Sequence, residues 1–142
     1  MAEIFSVGER VKQEVYRLPL CRCAVEAGFP SPAEGEVDGV LDLNELLIKH
    51  PAATFFVRAS GSSMIKAGIH HNDILVVDRS LSPVHGKIVI AAINGELTVK
   101  RLFHLGKEIR LIAENEGYPP IEILESTDLH IWGVVTSVIH QV

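Results

Sequence analysis

The chain has 142 residues, room for one ordinary domain and an arm but not for two full domains. Its 13 basic and 18 acidic residues give a formal net charge of −5, which argues against a general phosphate-backbone binder, since that needs a clustered basic surface. Apolar residues make up 47% and charged residues 22%, the balance of a globular chain with a core and not of a disordered one.

The N-terminal stretch MAEIFSVGERVKQEVYRLPL carries charges where a signal peptide would need its apolar run. No stretch approaches the ~20 apolar residues of a membrane span. A cytoplasmic protein with no membrane partner is therefore expected. Cys21 and Cys23 lie two residues apart, too close for a good disulfide, and no second cysteine pair follows to complete a metal site. No metal or cofactor is expected. Residues 27–35, Ala-Gly-Phe-Pro-Ser-Pro-Ala-Glu-Gly, are rich in breakers and read as an exposed arm. The expected division falls near Leu41, with an arm over residues 1–41 and a folded domain over 42–142.

The domain opens on Asp42-Leu43-Asn44-Glu45-Leu46-Leu47-Ile48. Asp42 with Glu45 resembles a capping box, and Leu43, Leu46 and Leu47 form a short stripe at helical spacing, so one short helix docked on the core is expected before Pro51. From Ala53 onward the pattern is that of strands. They are expected at Thr54–Ala59, Asp73–Asp78, Gly86–Ile93, Glu96–Leu102, Glu108–Ala113 and His130–Ile139. Asn94-Gly95 between two apolar runs is a strong hairpin signal, because both turn residues need positive φ. The fold class expected is mostly β, a partly closed sheet domain with an extended N-terminal arm and one short helix. The C-terminal run from His130 to Ile139 is apolar on both faces for much of its length. It fits either a central strand or an uncovered edge that pairs with a second chain.

The segment Ala59-Ser60-Gly61-Ser62-Ser63-Met64 follows a strand and precedes a short helical turn ending at Gly68. A serine at such a junction can be presented on a tight turn, with backbone N–H groups free to face an oxyanion. Its base could be one of seven histidines, at positions 50, 70, 71, 85, 104, 130 and 140, and chain order alone leaves a Ser-His-Asp triad open. None of them sits in a recognisable triad context. His70-His71-Asn72-Asp73 superficially resembles a metal tract but reads better as a turn before a strand. A lysine base requires a depressed pKa. Strict alternation groups Lys100 with Glu96, Thr98 and Leu102 on the more polar face, which makes a solvated lysine the default reading.

Taken in order, these segments resemble the self-cleaving LexA/UmuD serine peptidases, over roughly residues 18–138. The resemblance rests on Ala59-Ser60-Gly61-Ser62-Ser63-Met64, on Asp73 to Asp78, on Gly86 to Ala91 and on Gly95-Glu96-Leu97-Thr98-Val99-Lys100-Arg101-Leu102. Ala27-Gly28-Phe29-Pro30-Ser31-Pro32-Ala33 looks like the UmuD cleavage segment. The resemblance implies a serine peptidase with Ser63 as nucleophile and Lys100 as base, an oxyanion hole from the backbone N–H groups of Ser62 and Ser63, and self-cleavage at Ala27–Gly28. Ser62 stands where UmuD proteins commonly carry Asp, and Ala27 where they often carry Cys; LexA-like repressors cleave Ala-Gly. A helix-turn-helix domain needs about 60–70 residues, judging from small-domain sizes, and only the 41-residue arm precedes the boundary. No sequence-specific DNA binding is therefore expected.

The resemblance further implies an SOS mutagenesis protein whose self-cleavage is stimulated by a RecA filament on single-stranded DNA. The shortened form would be the accessory subunit of a UmuC-like Y-family translesion DNA polymerase, and the protein would form a homodimer. The alternatives are a non-cleaving polymerase accessory module of the same fold and a signal peptidase of related chemistry, the latter disfavoured by the lack of an apolar anchor.

Overall fold

The computed structural model describes residues 14–22, 24–25, 27–28 and 37–142. His50–Val142 forms one compact unit, and the described residues up to Lys49 belong to another.

In the N-terminal unit, β1 (Leu18–Cys21) pairs antiparallel with β2 (Val37–Leu41), from Leu18 opposite Leu41. The expected arm therefore holds a two-stranded hairpin whose partners lie on either side of the breaker-rich stretch. Pro19 is tolerated because both strands of a two-stranded sheet are edges. Helix α1 (Leu43–Leu47) follows, with the Asp42 carboxylate accepting from the Asn44 N–H at 2.9 Å. No residue of its apolar stripe is buried, Leu43 and Leu46 are exposed, and the helix falls within the arm's unit. Five residues present too little surface to anchor a helix by themselves.

The second unit is one antiparallel sheet of seven strands: β3 (Thr54–Arg58), β4 (Ile74–Asp78), β5 (Ile88–Ile93), β6 (Glu96–Leu105), β7 (Glu108–Ile112), β8 (Ile121–Glu122) and β9 (Leu129–Ile139). Their order across the sheet is β3-β4-β9-β5-β6-β7-β8. The Asn94-Gly95 turn between β5 and β6 is as expected, with φ of 49° and 85°. The apolar C-terminal strand β9 lies between β4 and β5. The edge-strand reading of that run is thereby corrected: both of its edges are already paired, and its apolar side chains pack into both clusters of the core.

Two register shifts mark β9, one opposite Val76/Val77 and one opposite Ile90/Ala91. Bulges bend a strand and increase its twist. The core divides accordingly into two clusters. One gathers Leu75, Val77 and Ile90 with Ala59, Met64 and Ile69 from the β3–β4 connection. The other gathers Val89, Ala91, Leu102, Leu111 and Val134. The β3–β4 connection is thus held against the sheet by its own buried side chains.

Candidate active site

Ser63 and Lys100 are 37 residues apart in sequence and start from strands four positions apart in the sheet. On a flat sheet four spacings amount to about 19 Å. The β3–β4 connection crosses this distance. Ala59, Met64 and Ile69 are each at most 5% exposed, and burying a side chain such as that of Met64 stabilises by about 1.5–3 kcal/mol. Met64 therefore fixes its neighbour Ser63 over the face of the sheet.

The Lys100 Nζ donates to Ser63 Oγ at 3.1 Å, to Thr98 Oγ1 at 2.8 Å and to the Val99 carbonyl at 3.1 Å. Lys100 is 9% exposed, so the expectation of a solvated lysine is overturned. The alternating face it shares with Leu102 turns inward beyond the hairpin tip. Glu96 at the tip is exposed, whereas Leu102 is buried between β5 and β7. Burial disfavours the ammonium and pulls the Lys100 pKa below its ordinary value.

The neighbouring serines are placed differently. Ser60 is exposed at the rim. The Ser62 hydroxyl pairs with the Tyr118 hydroxyl at 3.0 Å, and the Ser62 carbonyl accepts from Asn115 Nδ2 at 2.8 Å. The stretch after β7 buttresses this turn further. The Glu114 carbonyl accepts from the Lys66 N–H, and Glu116 pairs with Lys66 Nζ, both bonds at the next turn, Ile65–Ala67. Glu114 is held in turn by Arg101, whose guanidinium also donates to the Gly86 carbonyl. On the other side, the Gly61 N–H donates to His71 Nδ1 at 3.0 Å. Among the described residues, the N–H groups of Ser62 and Ser63 have no acceptor.

Residue types do not single out Thr98, Asn115 or Tyr118, and they do not link His71 to Gly61. Thr98 was within reach, because it stands two residues before Lys100 on the same strand face. The others depend on contacts between distant loops, which spacing does not encode.

A groove of about 470 Å³ runs past the pair, bounded by Phe56, Arg58 and Ser60 on one side and Leu97, Thr98 and Lys100 on the other. None of the seven histidines lines it. Ala27 and Gly28 are exposed in the connection between β1 and β2. Cys21 is a free, exposed thiol, while Cys23 lies outside the described residues. Among those residues no helix is long and apolar enough to cross a membrane.

The Peptidase S24-like family matches residues 19–136. Protein ImpA of Salmonella typhimurium is 48% identical over 126 residues, which cover 89% of this chain and 86% of that protein. Protein MucA of Escherichia coli is 46% identical over 123 residues, 86% of this chain and 84% of its own. The LexA repressor of Clostridioides difficile (strain 630) is 39% identical over 127 residues, 89% of this chain but 59% of the repressor. The chain belongs to the Peptidase S24-like family, that of the LexA- and UmuD-like serine peptidases its motifs resemble.

Proposed function

We propose that this chain is a self-cleaving serine peptidase in which Ser63 attacks and Lys100 is the base. The observation that carries the reading is the 3.1 Å contact between Ser63 Oγ and a buried Lys100 Nζ. A neutral amine has two N–H donors and one lone pair. With the donors engaged by Thr98 Oγ1 and the Val99 carbonyl, the lone pair faces Ser63.

The chemistry follows from that orientation. Lys100 takes the Ser63 hydroxyl proton as Oγ bonds to the Ala27 carbonyl carbon. The free N–H groups of Ser62 and Ser63 suit the resulting oxyanion. The Lys100 ammonium then gives its proton to the Gly28 nitrogen as the Ala27–Gly28 bond breaks. Water, deprotonated by Lys100, attacks the Ser63 ester, and the Lys100 ammonium returns that proton to Ser63 Oγ as the ester bond breaks and Ala27 leaves as the acid, which ionises to the carboxylate. The exposed Ala27–Gly28 pair and the open groove support this choice of bond. Residues 1–41 act as the substrate arm and residues 42–142 as the peptidase domain.

In the cell we place this reaction in SOS mutagenesis, in the cytoplasm. A RecA filament on single-stranded DNA stimulates cleavage. The shortened form then serves as the accessory subunit of a UmuC-like Y-family translesion polymerase, with the protein itself a homodimer. Family membership and the likeness to ImpA and MucA support this reading.

Purified protein incubated at alkaline pH and analysed by mass spectrometry tests the chemistry. The expected products are residues 1–27 and a chain beginning Gly28-Phe29-Pro30. Ser63→Ala and Lys100→Arg should abolish them, and Ser62→Ala should not. A stable wild-type chain, even with RecA filaments present, would favour the non-cleaving accessory module.

A further inference from the structure

Away from the groove, three side chains with metal-ligating atoms converge where β4 begins and β9 ends. Ile74 pairs with Ile139, so the preceding Asp73 and the following His140 face each other across the same ladder. His140 Nδ1 lies 2.5 Å from Asp73 Oδ1, and His70 Nδ1 lies 3.6 Å from Asp73 Oδ2. One ligand atom from each residue falls within 4.8 Å of the others. The Asp73 side chain is 3% exposed, while both imidazoles are 46% exposed. A buried carboxylate thus lies beneath two half-open rings. The His70-His71-Asn72-Asp73 stretch is the turn expected before β4, and the ladder register adds His140 to it.

We propose that His70, Asp73 and His140 form a site for one divalent transition-metal ion, zinc by the chemistry of its donors. Two imidazoles and a carboxylate leave a fourth tetrahedral position open to water. Ligand atoms about 2.0–2.1 Å from a tetrahedral zinc lie about 3.3 Å apart. The 3.6 Å pair is already close to that separation, and the 2.5 Å pair opens when the ion takes the place of the hydrogen between His140 and Asp73, which passes to solvent. Asp73 Oδ2 also accepts from the His70 N–H at 2.7 Å, which fixes the carboxylate.

The donors select among cations. Asp73 and His140 line a hollow of about 310 Å³ together with Arg58, whose guanidinium donates to the Asn72 carbonyl. Two imidazole nitrogens favour zinc and its transition-metal neighbours over magnesium or calcium, which take oxygen ligands. A bound ion would staple the end of β9 to the turn whose His71 holds Gly61.

Calorimetric titration of chelator-treated full-length protein with zinc chloride tests the site. One ion per chain is expected to bind with a micromolar dissociation constant. His140→Ala and His70→Ala should each weaken binding by more than about tenfold. Asp73→Asn keeps an acceptor for the His70 N–H and should weaken it likewise. Magnesium chloride should give no comparable binding. In imidazole NMR spectra, the resonances of His70 and His140 should shift with zinc while those of the other five histidines stay. No binding tighter than about 100 μM, binding unchanged in the two histidine variants, shifts confined to other histidines, or magnesium bound as tightly as zinc would each overturn the proposal. Because Ser63 and Lys100 are not ligands, a failed titration leaves the peptidase reading untouched.

Discussion

The working parts of the proposed reaction come down to one proton on one nitrogen. Lys100 sits where its ammonium is desolvated, so its pKa falls below the ordinary lysine value near 10.4. Self-cleavage should therefore accelerate as pH rises through that lowered pKa and level off once the amine is neutral. A rate unchanged between pH 6 and about 10, a range chosen to bracket a lowered lysine, would contradict a lysine base. A second buried group bears on stability instead. Asp78 is held below its ordinary pKa by the hydroxyl of Ser80 and by His50, which lie 2.5 and 2.6 Å from its oxygens. A depressed carboxylate contributes stability above its unfolded pKa, about 3.9, and loses it as pH falls through the folded value. Wild type should accordingly be more stable than Asp78→Asn at neutral pH. The gap should close below about pH 4, as measured by urea unfolding across that range.

At the scale of elements, the strands were legible because their cues are local. Alternation and the Asn94-Gly95 turn require only neighbouring residues, and the six expected strands lie within three residues of expectation at every end. What escaped depended on partners far along the chain. The pairing of β1 with β2 spans the breaker-rich arm, and the two-residue β8 carries almost no pattern. The environment of Lys100 escapes local cues for the same reason. Alternation tells which residues share a face but not which face the β3–β4 connection will cover. The resemblance supplies what periodicity cannot, since the Thr-Val-Lys segment marks Lys100 whatever its exposure. Strand β9 has its own local demand at Gly133. A Cβ there would stand 2.7 Å from Val77 Cγ1 and 3.0 Å from the Asp78 carbonyl oxygen. Gly133→Ala should destabilise by about 1–3 kcal/mol through overpacking, read as a lower urea midpoint with an unchanged slope. A midpoint equal to wild type would mean that the β4–β9 ladder yields more easily than its close packing implies.

For the molecule as a whole, the open question is which chain supplies the bond that Ser63 attacks. The central position of β9 removes it as an interface, so a dimer must use another surface. The described residues of the N-terminal unit offer one. Val15, Tyr16, Leu18, Leu20, Val40, Leu43 and Leu46 are 46% to 67% exposed. Leu18, Leu20 and Val40 lie on the two-stranded hairpin, which is marginal by itself, and the exposed apolar side chains on and beside it favour cover by a second copy. The test mixes two variants. Ser63→Ala offers an intact bond but no attacking hydroxyl. Gly28→Val keeps Ser63 but obstructs its own bond, and among the described residues nothing lies within 4 Å of a Cβ at Gly28. Release of residues 1–27 from the Ser63→Ala chain is expected, together with a dimer mass by light scattering at micromolar concentration. If wild type cuts itself while the mixture stays whole, and the mass is that of a monomer, both the dimer and the exchange of arms are refuted, and cleavage runs within a single chain.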